Sequence, residues 1–143
     1  MLTFYLNASI PDVALAFKSM KKNITIFFIP PILVINLCIM PETETYKHSA
    51  TKFCFPFNLD LHKISTCEKK QYELFAIIAY ADKHFIAFVK KNGEWIIYDD
   101  ESVYICHEDC INYLEGGFQY DPNALWKVTG HKYVARLLFY KCI

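Results

Sequence analysis

A histidine and two aspartates flank a short turn motif and could together supply a general base. His84 opens one apolar segment, Asp99 and Asp100 close the next, and an Asn-Gly dipeptide at residues 92–93 lies between the two segments. A carboxylate beside an imidazole fixes the tautomer of the ring and stabilises the imidazolium that forms when the ring takes a proton. The other ring nitrogen can then accept the proton of a thiol or hydroxyl, so these residues predict nucleophilic hydrolysis.

The turn decides which aspartate shares a face with the histidine. Asn-Gly between apolar strands is a strong signal for a two-residue hairpin turn. With that dipeptide as the turn, Ile86 faces Asp99, and His84 is the diagonal neighbour of Asp99 at about 7–8 Å between backbones. A three-residue loop with a bulge would reverse the parity and select Asp100 instead. The alternative to a catalytic pair is a surface histidine near a turn carboxylate, because polar residues are common beside hairpins.

The remaining pattern predicts the elements that must hold this hairpin. Runs rich in Ile, Val, Phe and Tyr predict strands at residues 24–28, 32–39, 51–57, 72–80, 84–90, 95–99, 103–106 and 133–142. Helices are predicted at residues 9–22 and 108–115, the second followed by a glycine. Residues 40–51 and 120–130 are interpreted as loops, and 58–68 as irregular. The fold class is therefore α+β with mainly antiparallel strands.

Composition excludes several classes of function. The chain has 143 residues, 54% of them hydrophobic, with 15 basic and 15 acidic side chains. Such a chain can bury a core, and it lacks the basic excess of a nucleic-acid surface, so we expect no nucleic-acid partner. Only four glycines are present, so we expect no glycine-rich phosphate loop. The histidines at 48, 62, 107 and 131 are interpreted as loop or surface residues.

The cysteines are interpreted as reduced thiols. They are Cys38, Cys54, Cys67, Cys106, Cys110 and Cys142. No basic region precedes the first apolar segment, so a signal peptide is not predicted, and we expect a cytoplasmic protein, with the nucleus as the second location. A small cysteine-rich secreted or membrane protein is the distant alternative. Residues 106, 107 and 110 offer three ligands where structural zinc needs four, so no metal is expected.

One uncharged segment bears on membrane insertion. Residues 24–40 carry no charge and are at the lower limit of length for spanning a bilayer. Pro30 and Pro31 lie within this segment, and adjacent prolines break the helix that a span requires. Strands on either side of the prolines are the better interpretation, so we expect no membrane partner.

Several stretches resemble the ubiquitin-specific proteases (USP), a family of ubiquitin carboxyl-terminal hydrolases. Residues 30–37 resemble the family's P-P-x-L-x-I-x-L strand, and residues 52–61 its x-F-P-x-x-L-D-L segment. Residues 72–103 are similar to its histidine box: Y-x-L-x-A-V, H-Y-x-A-F-V and W-x-x-F-D-D-x-x-V. Residues 136–140 resemble its closing A-Y-x-L-F-Y strand. The resemblance is clearest over 24–143 and leans towards the cylindromatosis (CYLD) type.

The resemblance implies a fold and a reaction. Residues 1–143 would form the carboxy-terminal part of a USP catalytic domain, that is, a partial papain-like cysteine-peptidase palm. In this family a thiol attacks the peptide or isopeptide carbonyl after the terminal glycine of ubiquitin, and the acyl-enzyme is then hydrolysed without a cofactor. The implied partner is ubiquitin or a ubiquitin-like protein.

The resemblance also implies roles for individual residues. His84 would be the general base and Asp99 its orienting carboxylate, with Asp100 as the alternative. Phe85 and Lys83 would contact the tail of the substrate. Lys83 departs from the family, which commonly has glycine before the histidine.

The nucleophile is the main departure from the family. Nothing in the sequence resembles the family's amino-terminal box G-x-x-N-x-G-N-T-C, so no residue is assigned as nucleophile. Cys67, in the segment before the histidine box, is the weakly supported substitute. We therefore expect a part of a deubiquitinase that is inactive by itself and needs an amino-terminal half. A catalytically inactive, ubiquitin-binding scaffold is the alternative.

Overall fold

The architecture is a single mixed sheet dominated by antiparallel pairing. The computed structural model describes residues 2–7, 13–14, 16, 29–38, 55–61, 71–81, 83–106, 118–119 and 132–143. The strands of this described part are β1 (Leu2–Asn7), β2 (Ile32–Cys38), β3 (Asn58–Asp60), β4 (Gln71–Ala81), β5 (His84–Lys91), β6 (Glu94–Asp99), β7 (Ser102–Cys106), β8 (Phe118–Gln119) and β9 (Lys132–Cys142). Their order is β1-β2-β9-β4-β5-β6-β7, with β3 paired to β4 and β8 to β9. All pairings are antiparallel except β1 with β2.

One face of the sheet carries the core. Alternate residues of β5 and β6 are buried, including Ile86 and Phe88 on β5 and Ile97 on β6. Successive side chains of a strand point to opposite faces, so the residues between them lie on the outer face. There Phe85 and Tyr98 are 55% and 40% exposed. The sheet therefore distinguishes a core face from an outer face along the strands that carry the candidate site.

A short helical segment packs against this core. Val13, Ala14 and Ala16 are helical, and Val13 and Ala16 are buried in the same cluster as the sheet residues. These three residues are the described part of the helix predicted at 9–22, and they agree with it.

In the described residues, no helix is long and apolar enough to cross a membrane.

The strands predicted around the histidine are confirmed, with bounds that differ by at most one residue. β2, β4, β5, β6, β7 and β9 correspond to the predicted strands 32–39, 72–80, 84–90, 95–99, 103–106 and 133–142. β1 and β8 were not predicted. The predictions at residues 24–28, 40–51, 108–115 and 120–130 lie outside the described residues.

The strand predicted at 51–57 is wrong in its described part. Residues 55–57 are not strand, and the strand is β3, at residues interpreted as irregular. Pro56 has no N–H to donate to a ladder. The Leu74 N–H instead donates to the Phe57 carbonyl at 2.8 Å, and regular pairing with β4 begins one residue later, at Asn58 opposite Glu73.

Two buried tyrosines tie the proline segments to the sheet. The Tyr72 hydroxyl donates to the Pro30 carbonyl at 2.5 Å, and the Tyr140 hydroxyl donates to the Pro56 carbonyl at 2.8 Å. Burial, and to a lesser degree the nearby Cys142 thiol, raises the pKa of Tyr72 to about 12. The Tyr72 hydroxyl therefore keeps its proton and remains a donor well above neutral pH.

Glu73 joins two neighbouring strands through charge. Its Oε1 accepts from Lys90 Nζ of β5 at 2.7 Å, and its Oε2 lies 3.4 Å from Lys141 Nζ of β9. The hydrogen bond from Lys90 is the main reason that the pKa of Glu73 lies below its ordinary value of 4.5. A carboxylate whose pKa is lower in the folded state stabilises the fold above its unfolded-state pKa and loses this effect as pH falls through the folded value.

A Glu73→Gln variant is expected to be less stable than the parent chain at neutral pH. The difference should shrink as pH falls below about 4.5, because the parent carboxylate then takes up a proton. Urea unfolding at pH 7 and pH 3 measures it. Glu94→Gln, at an exposed position of β6, is the matched control and should change stability little at either pH. A stability difference for Glu73→Gln that is independent of pH would contradict this assignment.

Candidate active site

The hairpin that carries the site has the predicted turn and register. Asn92 and Gly93 have φ of 52° and 87°, the left-handed values that the favoured two-residue turn requires and that Asn-Gly adopts readily. Lys91 is paired with Glu94 across the turn, and the ladder continues in register towards the other end of the hairpin. The predicted parity is therefore confirmed.

His84 and Asp99 lie side by side at that other end. His84 is the first residue of β5 and Asp99 the last of β6. Each is two residues from a buried core side chain, Ile86 and Ile97 respectively, so both point to the core face. His84 Nε2 is 2.5 Å from Asp99 Oδ1. The structure thus brings together the two residues that the sequence selected.

The hydrogen bond determines what the imidazole can do. A carboxylate accepts only, so Nε2 carries the hydrogen that Asp99 receives, and Nδ1 of the neutral ring is then an acceptor. The His84 side chain is 37% exposed, whereas that of Asp99 is 17% exposed. The arrangement is an oriented, accessible base with a partly covered carboxylate behind it, which suits it to take a proton from a thiol placed at Nδ1.

Asp100 lies close to the pair but in a different setting. It is exposed, and it has a left-handed backbone with φ of 49° in the turn between β6 and β7. The imidazole of His84 and the carboxylates of Asp99 and Asp100 have ligand atoms within 4.8 Å of one another, a spacing that could hold a cation. However, Asp99 already accepts the imidazole hydrogen bond. The geometry therefore supports Asp99, rather than Asp100, as the carboxylate that orients the ring.

Lys83 is strained at the position before the histidine. It occupies the turn between β4 and β5, where Ala81 is paired with His84, and its φ is 66°. Side chains with a Cβ pay a steric cost in this left-handed region that glycine avoids. The structure thus gives a physical reason for the glycine that the family resemblance implies at this position.

Lys83→Gly is therefore expected to raise the free energy of unfolding by about 1 kcal/mol. The matched control is Lys91→Gly at the far end of β5. Lys91 is not among the residues with positive φ, so there the same change should lower stability by roughly 0.5–1 kcal/mol. Chemical denaturation of both variants measures the two effects. Destabilisation by Lys83→Gly would show that the turn gains nothing from glycine.

The two residues predicted to contact the substrate tail lie at the same end of the sheet as the pair. Lys83 is exposed in the turn. Phe85 is on the outer face, where its ring packs on Tyr80 with centroids 4.6 Å apart. His84 and Phe85 therefore project from opposite faces of β5. Contact of Lys83 and Phe85 with a substrate tail stays a prediction.

Tyr133 is a neighbour of the site that the sequence analysis did not single out. It is a buried residue of β9, 2% exposed, and its ring meets the His84 ring edge to face at 6.5 Å between centroids. β9 is separated from β5 by β4. The contact depends on strand order, which sequence patterns around Tyr133 do not show.

Among the described residues, no cysteine thiol lies beside His84 and Asp99. Cys142 is a free cysteine. In the sheet it lies opposite Tyr72 at one end of β4, whereas His84 lies opposite Ala81 at the other end of that strand. At a rise of about 3.3 Å per residue, roughly 30 Å separate those two ends. Cys38 and Cys106 end β2 and β7. Cys54, Cys67 and Cys110 lie outside the described residues.

Comparison with known proteins defines the class to which this chain belongs. The model of the ubiquitin carboxyl-terminal hydrolase family (UCH) matches residues 15–140. The chain belongs to the ubiquitin carboxyl-terminal hydrolase family.

A curated protein is similar to most of the chain. Ubiquitin carboxyl-terminal hydrolase 4 of Arabidopsis thaliana is 29% identical over an alignment of 133 residues, and the match covers 86% of this chain and 35% of that protein. The chain thus spans about a third of the length of this relative. The predicted leaning towards the CYLD type stays a prediction.

Two solved structures share the fold. A structure of the yeast SAGA DUB module containing an Sgf73 mutant matches with a TM-score of 0.66 and 19% identity, over 99% of this chain and 33% of the matched chain. The Ubp8-Sgf11-Sgf73-Sus1 SAGA DUB module matches with a TM-score of 0.63 and 17% identity, over the same shares. The strand-rich sheet described above is therefore shared with chains of deubiquitinating modules. The papain-like palm stays a prediction.

Proposed function

We propose that this chain is the base-bearing part of a deubiquitinase that cleaves peptide or isopeptide bonds after the terminal glycine of ubiquitin. The observation that carries the proposal is the hydrogen bond of 2.5 Å between His84 Nε2 and Asp99 Oδ1 in a chain of the ubiquitin carboxyl-terminal hydrolase family. His84 is the general base, and Asp99 holds its ring and its tautomer. Asp100 is the alternative to Asp99 as the orienting carboxylate.

The nucleophile in this proposal is a thiol from a segment outside these 143 residues. The family's cysteine box has no counterpart in the sequence. The chain also spans only about a third of its relative in Arabidopsis thaliana. Since a base without a nucleophile achieves no covalent catalysis, the chain by itself is inactive.

The proposed reaction assigns one proton path to His84. Nδ1 takes the proton of the incoming thiol, and the thiolate attacks the carbonyl carbon of the terminal glycine of ubiquitin. The imidazolium, stabilised by Asp99, then gives the proton to the leaving amine, and an acyl-enzyme remains. In the second half His84 takes a proton from water, hydroxide attacks the thioester, and the thiol leaves with a proton from the imidazolium.

The partner proposed for this site is ubiquitin, or a ubiquitin-like protein, and its tail must reach the exposed side of His84. We further propose a cytoplasmic location, with the nucleus as the alternative, because a reducing compartment keeps thiols such as that of Cys142 free. Titration of the chain, denatured without reductant, is expected to count six thiols, the full number in the sequence. A lower count would contradict the reduced state.

A chimeric hydrolase tests the proposed function. The third of Arabidopsis thaliana ubiquitin carboxyl-terminal hydrolase 4 that aligns with this chain is replaced by residues 1–143, and hydrolysis of a fluorogenic amide at the carboxyl terminus of ubiquitin is measured. We expect the chimera to be active and the relative without that third to be inactive. An inactive chimera that still folds and binds ubiquitin would favour the scaffold alternative and overturn the proposal.

A ubiquitin electrophile tests the source of the thiol. Ubiquitin with a carboxy-terminal vinyl sulfone is incubated with the isolated chain and with the chimera. We expect an adduct with the chimera, at a cysteine of the relative, and none with the isolated chain. An adduct on one of the chain's own cysteines, which peptide mapping would identify, would contradict an external nucleophile.

A further inference from the structure

We propose that Tyr133 is a positioning residue for His84. Its buried ring contacts the imidazole and restricts rotation of the imidazole away from Asp99. The inference rests on the proposed function, in which the His84 ring acts as the base. It adds a residue outside the histidine box, on β9, to the parts that define the active conformation. Tyr133 acts through the imidazole and has no contact with substrate in this proposal.

The strand order places the imidazole between two restraints. β5, which carries His84, has β6 on one side and β4 followed by β9 on the other. Asp99 therefore approaches the ring from the β6 side, and Tyr133 approaches it across β4. The residue of β4 paired with His84 is Ala81, and alanine is the smallest residue that carries a Cβ.

The contact has the geometry of a directional aromatic pair. The rings of His84 and Tyr133 are 6.5 Å apart and inclined at 71°, within the range in which edge-to-face pairs are favourable. Tyr133 is only 2% exposed, so its own rotamer is fixed by the surrounding core. A fixed ring can restrain its neighbour, whereas a mobile one cannot.

The imidazole needs such a restraint because of where it lies. His84 is the first residue of its strand, follows a strained turn residue, and keeps 37% of its side chain exposed. A side chain at such a position has other staggered rotamers available, and these would break the bond to Asp99. The Asp99 hydrogen bond sets the tautomer, and the Tyr133 ring limits the rotation of the imidazole about its side-chain bonds.

Nuclear magnetic resonance of the complete 143-residue chain tests this role without any need for hydrolysis. With ¹⁵N-labelled histidine, the ring nitrogen shifts of His84 give its tautomer, and the exchange rate of the Nε2 hydrogen gives the occupancy of the Asp99 bond. Tyr133→Phe, which keeps the ring, is expected to match the parent chain. Tyr133→Leu is expected to speed exchange of this hydrogen roughly three- to tenfold.

Tyr140→Leu is the matched control. Tyr140 is also a fully buried tyrosine of β9, but it is paired with Leu74 near the opposite end of β4. It should leave the His84 signals unchanged even where it destabilises the fold. If Tyr133→Leu does not fold, Tyr133→Met, which fills the volume with a flexible side chain, replaces it.

The outcomes separate this inference from the proposed function. Unchanged exchange in Tyr133→Leu or Tyr133→Met would overturn it. Faster exchange in Tyr133→Phe would also overturn it, because the hydroxyl rather than the ring would then hold the imidazole. Equally fast exchange in Tyr140→Leu would show that loss of stability alone speeds exchange of the hydrogen, and would also overturn the inference. An inactive parent chimera with a well-ordered Nε2 hydrogen would instead count against the hydrolase assignment alone.

Discussion

Replacement of His84 by glutamine is expected to lower kcat/KM of the chimeric hydrolase by roughly 10³- to 10⁴-fold, the upper range for loss of a general base. The imidazole is the more exposed member of the pair, and its Nε2 is already bound to Asp99. Glutamine can still bond to the carboxylate, but it cannot take a proton from a thiol at neutral pH. The loss should therefore appear in the chemical step.

Two measurements and a control variant make the His84→Gln result specific. Fluorogenic hydrolysis gives kcat and KM, and ubiquitin binding by fluorescence anisotropy should remain within a few-fold of the parent chimera. His48→Gln, at a histidine that the sequence analysis assigns to a loop, is the matched control and should be active. A His84→Gln chimera that retains a tenth or more of the parent rate would remove His84 from the mechanism.

The site could be predicted from the sequence because a hairpin is a local structure. Asn92 and Gly93 specify a two-residue turn, and their observed φ values are ones that glycine and asparagine adopt more readily than other residues do. Once the turn is fixed, alternation alone determines that His84 and Asp99 share a face. No information about distant parts of the chain was needed for this step.

The elements that were missed depend on partners far away in the sequence. β3 is only three residues long, and it forms because β4 supplies backbone groups for it to pair with. β1 pairs with β2 in parallel, across more than twenty residues of chain. Such pairings are set by tertiary packing rather than by local propensity. For this reason, prediction from short apolar runs placed a strand at 51–57 and omitted β1.

Tyr133 and Lys83 show the same limit at the site itself. The contact of Tyr133 with His84 spans β4, so it follows only from the strand order. The strain at Lys83 follows from its φ of 66°, which cannot be predicted from the presence of a lysine. The sole signal was indirect, namely that Lys83 departs from the glycine that the family resemblance implies at this position. Sequence reasoning thus found the hydrogen-bonded pair, but neither the ring that contacts the imidazole nor the strained turn residue before it.

Asp99→Asn is expected to be the second most damaging change, with a loss in kcat on the order of 10²- to 10⁴-fold and little change in KM. An asparagine amide can rotate to present its NH2 to Nε2, and this would favour the tautomer with the hydrogen on Nδ1. That tautomer has no lone pair facing the incoming thiol. The ring would remain in place but in the wrong protonation state to act as a base.

Asp100→Asn distinguishes the two carboxylates. Asparagine tolerates the left-handed backbone of position 100, where φ is 49°, so the change alters charge without adding strain. Because the imidazole is bonded to Asp99 and Asp100 is exposed, we expect less than about a tenfold loss in kcat, the scale of a modest electrostatic contribution. The ¹⁵N shifts of the His84 ring should move in Asp99→Asn and stay in Asp100→Asn. The reverse order of effects would mean that Asp100 orients the base during catalysis, and that the ring leaves Asp99 when the nucleophile-bearing segment is in place.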